Sequence, residues 1–413
     1  MGSFSFASGN AAQVMRLPLH LLGLVATRVI PRSRDLWVFG SAIGVGEGAL
    51  ALWQVASAAG ERVLWLTGTD EDAVAARRAG MASAPKRGLR GFWLTARARV
   101  VIVTHGSGDV NRYATSGSYL VQLWHGIPLK RLGLDSPVTA RAPIALPGLA
   151  RFLQAAYRST QRRIRLLPAA SHLVRGRLES AFGLGHDRVP VTGEPRVDVL
   201  TRGRDAAEAR SAVDELLGAT DGTRLVLYAP TWRDGEADPA VPSAAERELI
   251  EAALARVDAV LVVRSHPLGA GEYRADPSHG RIRLLGSDLL ADVTPALAAF
   301  DVLVTDYSSL VYDTALIPLP VVYFAPDEER YAETRGFYGS YRDVAGDDVA
   351  KDWSEVMRQV SAVLSDDAER SRRVARAEAL SARVHAFRDG RNAERVYGAI
   401  RRGLAARGAR RHP

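Results

Sequence analysis

The sequence predicts an α/β protein with parallel sheets in two domains of similar size. Short apolar runs alternate with helical patterns along the whole chain, which is the arrangement of parallel α/β sheets. A chain of 413 residues is too long for one ordinary core and suits two domains of about 200 residues each. Apolar and charged fractions of 47% and 24% are those of a soluble globular protein.

Apolar runs in the first half of the chain are typical of buried strands. The predicted strands are 36–39, 62–66, 100–103, 119–124 and 189–192, and a helix is predicted at 49–59. The first strand leads into a glycine-containing loop at 40–46. Its spacing matches neither the dinucleotide-binding nor the Walker A pattern, so we interpret it as a tight turn.

The second half repeats this alternation from about residue 201. The predicted strands are 225–228, 259–263, 282–285, 301–305 and 321–324, and the predicted helices are 244–254 and 308–316. The predicted organisation is an N-terminal helical or interfacial segment at 1–34, a first domain at 35–200, a second at 201–400 and a basic tail at 401–413.

The charge balance points to an anionic partner. The net charge is +8 and the pI about 9.9, which would suit binding to nucleic acid or to an anionic membrane surface. A genomic bias towards arginine codons would also explain the excess of positive charge. The basic stretch at 151–165 has few aromatics for stacking on bases, so we expect no nucleic-acid partner. The absence of cysteine excludes disulfides, cysteine-type zinc sites and a thiol nucleophile.

No segment reaches the ~18 apolar residues of a membrane span. Two stretches, 14–30 and 143–167, combine apolar residues with spaced arginines. Such stretches can lie as helices in the interface of an anionic bilayer, and ordinary domain helices are the alternative. We therefore expect a cytoplasmic protein, peripheral at the inner face of the cell membrane.

A histidine loop follows the predicted strand 119–124. It contains Trp124, His125 and Gly126, with Lys130 shortly after. Glycine permits a sharp turn and the close approach of a substrate, and histidine can move a proton near neutral pH. Since loops at strand ends are where chemistry usually lies, we interpret His125 as catalytic, with a structural histidine as the alternative.

A second histidine loop follows the predicted strand 259–263. It contains Arg264 and His266, and a proline comes next. The planar fork of an arginine suits phosphate oxygens. The alternative for His266 is a ring that bonds a backbone carbonyl at the strand end.

Polar residues at other strand ends of the second half are typical of a phosphate site. Asp306, Ser308 and Ser309 lie between a buried strand and a helix, where amides and hydroxyls can hold an anion, although an N-cap would explain one serine. Thr231 and Arg233 follow the first strand of this half and could face the same phosphate. Further candidates are Glu194 and Arg196, in a turn that we interpret mainly as an interdomain hinge, and Asp313 and Arg335.

The ordered set of motifs resembles the CDP-glycerol glycerophosphotransferase family, the polyol-phosphate transferases of teichoic acid synthesis. The resemblance spans roughly residues 36–400. Its carriers are 123–130, 192–198, 228–233, 264–267, 305–309, 312–313, 320–324, 327, 331, 335–336, 389–390 and 395–396. The loop 40–46 lacks an asparagine-containing pattern of many members, which leaves the acceptor open, and Tyr312 stands where phenylalanine is commoner.

The resemblance implies a GT-B fold, in which two Rossmann-like domains face a cleft, the first on the acceptor side and the second binding the CDP donor. It implies transfer of glycerol phosphate from CDP-glycerol to a lipid-linked acceptor with release of CMP. His125 would be the base, His266 would lie with the donor pyrophosphate, and Ser308 and Ser309 would contact phosphate. It implies no metal and no cofactor beyond the donor substrate.

Several alternatives stay open on the sequence. A CDP-ribitol ribitolphosphotransferase would show the same motifs, and a GT-B glycosyltransferase that uses a nucleotide sugar would show the same alternation of strands and helices. The sequence does not separate addition of one unit from polymerisation, nor does it indicate the acceptor or the oligomeric state.

Overall fold

The structure is a computed structural model that describes residues 17–137, 149–203, 206–218, 222–233, 236–265, 273 and 280–409. The chain divides into two compact units. The first unit contains Met1–His125, Arg131–Asp198 and His385–Pro413, and the second contains Gly126–Lys130 and Val199–Val384.

The first unit contains a six-stranded parallel sheet. Its strands are β1 (Leu36–Phe39), β2 (Arg62–Thr67), β3 (Ser83–Pro85), β4 (Val100–Val103), β5 (Tyr119–Gln122) and β6 (Ile164–Leu166). Their order is β3-β2-β1-β4-β5-β6, which is the order of a Rossmann domain. Strands β1, β4 and β5 are buried along their whole length, because helices cover both faces of such a sheet.

The second unit contains a five-stranded parallel sheet with the same topology. Its strands are β7 (Arg224–Ala229), β8 (Ala259–Val263), β9 (Ile282–Leu284), β10 (Val302–Thr305) and β11 (Val321–Tyr323). The order β9-β8-β7-β10-β11 is again that of a Rossmann domain. In each unit the strand order reverses at one place, between β1 and β4 and between β7 and β10, and ligands bind at such switch points, outside the carboxyl ends of the strands.

Helices occupy most of the remaining described chain. They are α1 (Leu17–Val29), α2 (Glu47–Ala58), α3 (Asp70–Arg78), α4 (Gly88–Arg97), α5 (Leu149–Gln161), α6 (His172–Phe182), α7 (Asp198–Thr201), α8 (Ala206–Leu217), α9 (Ala244–Arg256), α10 (Leu310–Thr314), α11 (Glu328–Thr334), α12 (Arg342–Ala345), α13 (Trp353–Ser365), α14 (Asp367–Val384) and α15 (Asn392–Ala409). Within the described residues, none has the length and apolar content that crossing a membrane demands.

The last helix packs on the first unit, which differs from the sequence-based division at 200/201. Val396, Ile400 and Leu404 on α15 join the apolar core that contains Trp37 and Phe39 of β1. The start of the helix is held by Asp198, whose carboxylate accepts the backbone N–H groups of residues 392 and 393 at 2.9 and 2.8 Å. The apolar face and the cap of a helix decide which domain it packs on, and its position along the chain does not reveal that domain.

Some predicted elements differ locally from the observed ones. Within the part of the chain that the structure describes, the predicted strand 189–192 makes only a single bridge, between Ala169 and Val191. The stretch 143–167, interpreted as one amphipathic segment, contains both α5 and strand β6. In β6, Ile164 and Leu166 are buried and Arg165 is exposed. This alternation of every second residue is the period of a strand and not of an amphipathic helix.

A buried arginine ties α14 to the sheet of the second unit. Arg373 is 3% exposed and donates to the Val321 carbonyl at 2.6 Å, to Glu369 at 2.6 Å and to Asp348 at 3.0 Å. Arg372 contacts the same two carboxylates, but 46% of its side chain is exposed. Hydrogen bonds from Arg372 and Arg373 lower the pKa of Glu369 to about 2.

We expect Arg373→Ala to reduce the free energy of unfolding by about 3 kcal/mol, since it leaves partly buried carboxylates and a carbonyl without their donor. Arg372→Ala is the matched control and should cost less than about 1 kcal/mol, because exposed pairs contribute little. Urea denaturation of both variants measures this, and equal losses would contradict it. Since the folded pKa of Glu369 is depressed, its stabilisation is present above its ordinary pKa and is lost as the pH falls towards 2.

Candidate active site

Two histidines meet at the carboxyl edge of the first sheet. His105 follows β4 and His125 follows β5, and these two strands are parallel neighbours. The imidazole rings are stacked, with 4.3 Å between centroids and 2° between planes. We call this pair the histidine stack.

His105 was missed by the sequence analysis, although a signal for it exists. Thr104, His105 and Gly106 follow β4 just as Trp124, His125 and Gly126 follow β5. Both glycines have similar positive φ values, 145° and 138°. Adjacent parallel strands that each end in histidine and glycine place both histidines at one edge, a deduction that requires knowing which strands are neighbours.

The backbone of the His125 loop is strained at Trp124. Its φ of 64° is rare for a bulky residue. The indole contacts the His125 ring at 4.1 Å between centroids and the edge of Phe182 at 5.1 Å. Such strain persists only where the surroundings enforce it, and it is common at functional sites.

The loop of His105 is held by hydrogen bonds. The Thr104 hydroxyl lies 2.8 Å from the His105 Nδ1 and 3.0 Å from the Ser41 hydroxyl, so it links β4 to the loop after β1 across the switch point. The buried Asp109 carboxylate accepts the backbone N–H groups of residues 104, 105 and 106 at 2.9, 2.7 and 3.2 Å. The loop therefore has little freedom to rotate the His105 ring.

The electrostatic environment keeps His105 neutral. Burial, together with the positive charge of Arg196, lowers its pKa to about 4. Arg196 belongs to the 3₁₀ turn Pro195–Val197, next to the buried Glu194. Near neutral pH the ring that faces His125 therefore carries no charge.

The glycine loop at 40–46 is a tightly packed turn. A Cβ atom on Gly40 would lie 2.2 Å from the Asp109 carbonyl oxygen, and Gly44 has a φ of 88°. Residue 40 has to be glycine because any Cβ atom would block the approach of the two backbone segments, and the positive φ at residue 44 also favours glycine.

In the second unit, a buried ion-pair network lies at the switch point between β7 and β10. Arg233 donates to Asp306 at 2.7 Å and to both oxygens of Asp327 at 2.8 and 3.1 Å. Asp306 in turn accepts the Thr231 N–H at 2.9 Å. Arg233 is 7% exposed and Asp306 is 2% exposed, so both are occupied in holding the turn after β7.

Aromatic rings surround this network. The Arg233 guanidinium lies 5.1 and 5.2 Å from the ring centroids of Tyr307 and Tyr331. Lys130 pairs with Phe337 in an antiparallel bridge, and its ammonium lies 6.0 Å from the Tyr331 centroid. Burial lowers the pKa of Lys130 to about 8, and the charges of Arg335 and Arg233 contribute, while Asp306 opposes them.

Hydroxyl groups and Arg264 lie at the same edge. The Thr231 hydroxyl is buried and has no hydrogen-bond partner among the described residues. Ser308 and Ser309 are half-buried and precede α10, which is shorter than the predicted helix 308–316. Arg264 donates to the carbonyls of residues 285 and 291, both at 3.1 Å.

The remaining predicted site residues are distributed as follows. Asp313 is 1% exposed inside α10, and burial lowers the pKa of Arg335. His266 lies outside the described residues. Within the described ranges, no group of three or more histidine or carboxylate side chains could hold a metal ion.

We expect Arg233→Lys to reduce the free energy of unfolding by about 2–4 kcal/mol, because a lysine keeps the charge but not the fork that bridges two buried carboxylates. The control is Arg330→Lys, since Arg330 pairs with Glu236 at 2.7 Å on the surface of the same unit. That change should cost less than about 0.5 kcal/mol. Unchanged stability in Arg233→Lys together with weaker CDP binding would instead indicate a direct phosphate contact.

The chain matches one family over most of its length. The sequence profile of CDP-Glycerol:Poly(glycerophosphate) glycerophosphotransferase matches residues 30–402. The teichoic acid glycerol-phosphate transferase of Staphylococcus aureus (strain NCTC 8325 / PS 47) is 27% identical over 262 residues, which are 62% of this chain and 65% of that protein. The teichoic acid ribitol-phosphate polymerase TarK of the same strain is 27% identical over 218 residues, 52% of this chain and 41% of that protein. The chain thus spans less than two thirds of the length of either relative.

Solved structures establish the fold. A variant of the wall teichoic acid polymerase TagF superposes with a TM-score of 0.77 at 17% identity, over 96% of this chain and 97% of that chain. A TagF variant soaked with CDPG gives a TM-score of 0.75 at 18% identity, with the same coverage. The prediction of an α/β GT-B fold with two Rossmann-like domains is confirmed.

The profile match extends through the strand ends of both units, where the histidine stack and the Arg233 network lie. The chain belongs to the CDP-glycerol:poly(glycerophosphate) glycerophosphotransferase family.

Proposed function

We propose that the protein transfers glycerol phosphate from CDP-glycerol to a hydroxyl group of a lipid-linked acceptor, with release of CMP, in the synthesis of teichoic acid or a related cell-envelope polymer. The observation that carries the proposal is the family match over residues 30–402. The CDPG named with the TagF structure supports the choice of donor.

The proposed reaction is a displacement at phosphorus. The acceptor oxygen attacks the β-phosphorus of the donor and forms a new phosphodiester. The bond between that phosphorus and the bridging oxygen breaks, and the electron pair leaves with CMP. The acceptor proton passes to a base, and charge that develops on the phosphate oxygens has to be stabilised by the protein.

His125 is the proposed base. It follows a buried parallel strand, Gly126 after it leaves room for a substrate, and a neutral neighbouring ring does not oppose its protonation. An unperturbed histidine side chain titrates near neutral pH, which suits a general base. Trp124 supports the ring from its strained position.

Donor phosphates are proposed to bind at the switch point of the second unit. The buried, unpartnered hydroxyl of Thr231, the hydroxyls of Ser308 and Ser309 and the charge of Arg264 support this placement. Asp306 and Arg233 are proposed to position the Thr231 turn, since their polar atoms already pair with each other. The role of His266 with the pyrophosphate stays a prediction.

The donor polyol has a second candidate. Relatives of equal identity are named for glycerol phosphate and for ribitol phosphate, so CDP-ribitol is the alternative donor. Addition of one unit and polymerisation are both candidates, because a primase and a polymerase of glycerol phosphate both occur among the relatives.

Attachment to an anionic membrane surface is also proposed, since a lipid-linked acceptor has to be reached at the bilayer. On α1, Leu19, Leu22, Val25 and Val29 are 50%, 66%, 59% and 79% exposed. The opposite face packs on the protein, where the His20 ring contacts Tyr113. An exposed apolar stripe beside Arg28 is the pattern of an interfacial helix.

CDP-glycerol should release CMP in the presence of a lipid-linked acceptor analogue, and UDP- and GDP-sugars should release no nucleotide. His125→Ala should reduce turnover roughly 10²–10⁴-fold, the usual contribution of a general base. His172→Ala, at an exposed histidine of the same unit, is the control and should keep full activity. The measurement is nucleotide release across a panel of CDP-glycerol, CDP-ribitol and UDP- and GDP-sugars.

Turnover of a nucleotide sugar alone would replace the proposal with a glycosyltransferase. Turnover of CDP-ribitol alone would change the polyol but not the reaction. If His125→Ala keeps more than about a tenth of the wild-type rate, His125 is not the general base.

The protein should sediment with phosphatidylglycerol vesicles at low salt and be released at high salt. The double change Leu19→Gln, Leu22→Gln should abolish sedimentation, because each leucine contributes about 1.5–3 kcal/mol when buried in an apolar phase. Leu89→Gln is the control, since Leu89 is 90% exposed but lies on α4. Equal sedimentation of all three proteins would exclude α1 as the attachment surface.

A further inference from the structure

We propose that His105 is a positioning residue for the reaction, which fixes the plane of the His125 imidazole by stacking flat against it. This inference rests on the proposed function, in which His125 is the base. It adds a residue that does not touch the reacting atoms but acts through the one that does.

The first argument is the geometry of the stack. With planes 2° apart and 4.3 Å between centroids, a large rotation of the His125 ring about its Cβ–Cγ bond would bring it into collision with His105. A general base has to present one nitrogen to the acceptor hydroxyl within hydrogen-bond reach. A ring that can turn freely would present that nitrogen only part of the time.

The second argument is that His105 is itself fixed. Its Nδ1 lies 2.8 Å from the Thr104 hydroxyl, and the Asp109 carboxylate holds three consecutive N–H groups of its loop. The rigid loop of β4 therefore provides the surface against which the ring of the β5 loop is oriented.

The third argument is charge. Two imidazolium rings at this separation would repel each other, because like charges a few ångströms apart in a partly buried site are poorly screened. Burial and Arg196 lower the pKa of His105 to about 4, so this ring stays neutral when His125 takes up a proton. The face of a neutral aromatic ring is a favourable neighbour for the cation that forms.

A purely structural role for His105 makes different predictions. It would lower stability on substitution and would affect substrate binding and turnover alike. A positioning role lowers kcat with little change in KM or in CDP affinity, and a flat ring without the histidine nitrogens should restore it. The pair His105→Ala and His105→Phe separates the two roles.

The experiment measures kcat, KM for CDP-glycerol, CDP affinity by calorimetry and melting temperature for wild type, His105→Ala, His105→Phe and the control His172→Ala. We expect His105→Ala to lose roughly 10–100-fold in kcat, the scale of a misplaced catalytic group, with KM and CDP affinity within about threefold of wild type. His105→Phe should recover kcat to within about fivefold, because it keeps the flat ring.

Wild-type kcat in His105→Ala would overturn the inference, as would a folded His105→Phe that is no more active than His105→Ala. If His105→Ala fails to fold, His105→Phe decides: activity near wild type supports positioning, and a folded protein as inactive as His125→Ala overturns it. Failure of the proposed function is distinct, because then the wild type releases no CMP from any CDP-polyol.

Discussion

The parallel pairing of strands in Rossmann order is the constraint on which both candidate sites depend. In a parallel sheet all carboxyl ends lie at one edge, and the reversal of strand order leaves a switch point there. In the first unit the Thr104 and Ser41 hydroxyls meet at this point, and in the second unit Asp306 accepts the Thr231 N–H across it. The polar groups of each unit are thus collected by sheet topology, although they are far apart in the chain.

The two units manage buried charge in opposite ways. In the first, the His105 ring is kept neutral by burial, so that it can lie against a second histidine. In the second, the charge of Arg233 is retained and shared between two carboxylates under a cover of tyrosine rings. Removing one partner of such a network leaves an uncompensated buried charge, so the network holds the turn after β7 rigid but leaves Arg233 little capacity to bind a ligand.

The two loops that carry the histidine stack differ, because one has a strained backbone and the other is held by hydrogen bonds. Trp124 carries an unfavourable φ of 64°, while the loop of His105 is held by the Asp109 carboxylate. Strained residues persist at sites where the surroundings over-determine them. In the first unit, the indole of Trp124 packs on Phe182 and on the His125 ring, and these contacts help to hold the strained backbone in place.

The sequence by itself determined the α/β class, the family and the position of His125 at the end of a strand, because these depend on local periodicity and on motif order. Tertiary structure alone decided three other points. Arg233 pairs with Asp306 and Asp327 instead of standing free for phosphate, α15 packs on the first unit, and His105 lies against His125. Each depends on which segments become neighbours over long stretches of chain, since strand order and buried charge pairing are set by the packing of the whole sheet and leave no periodic trace in the residues concerned.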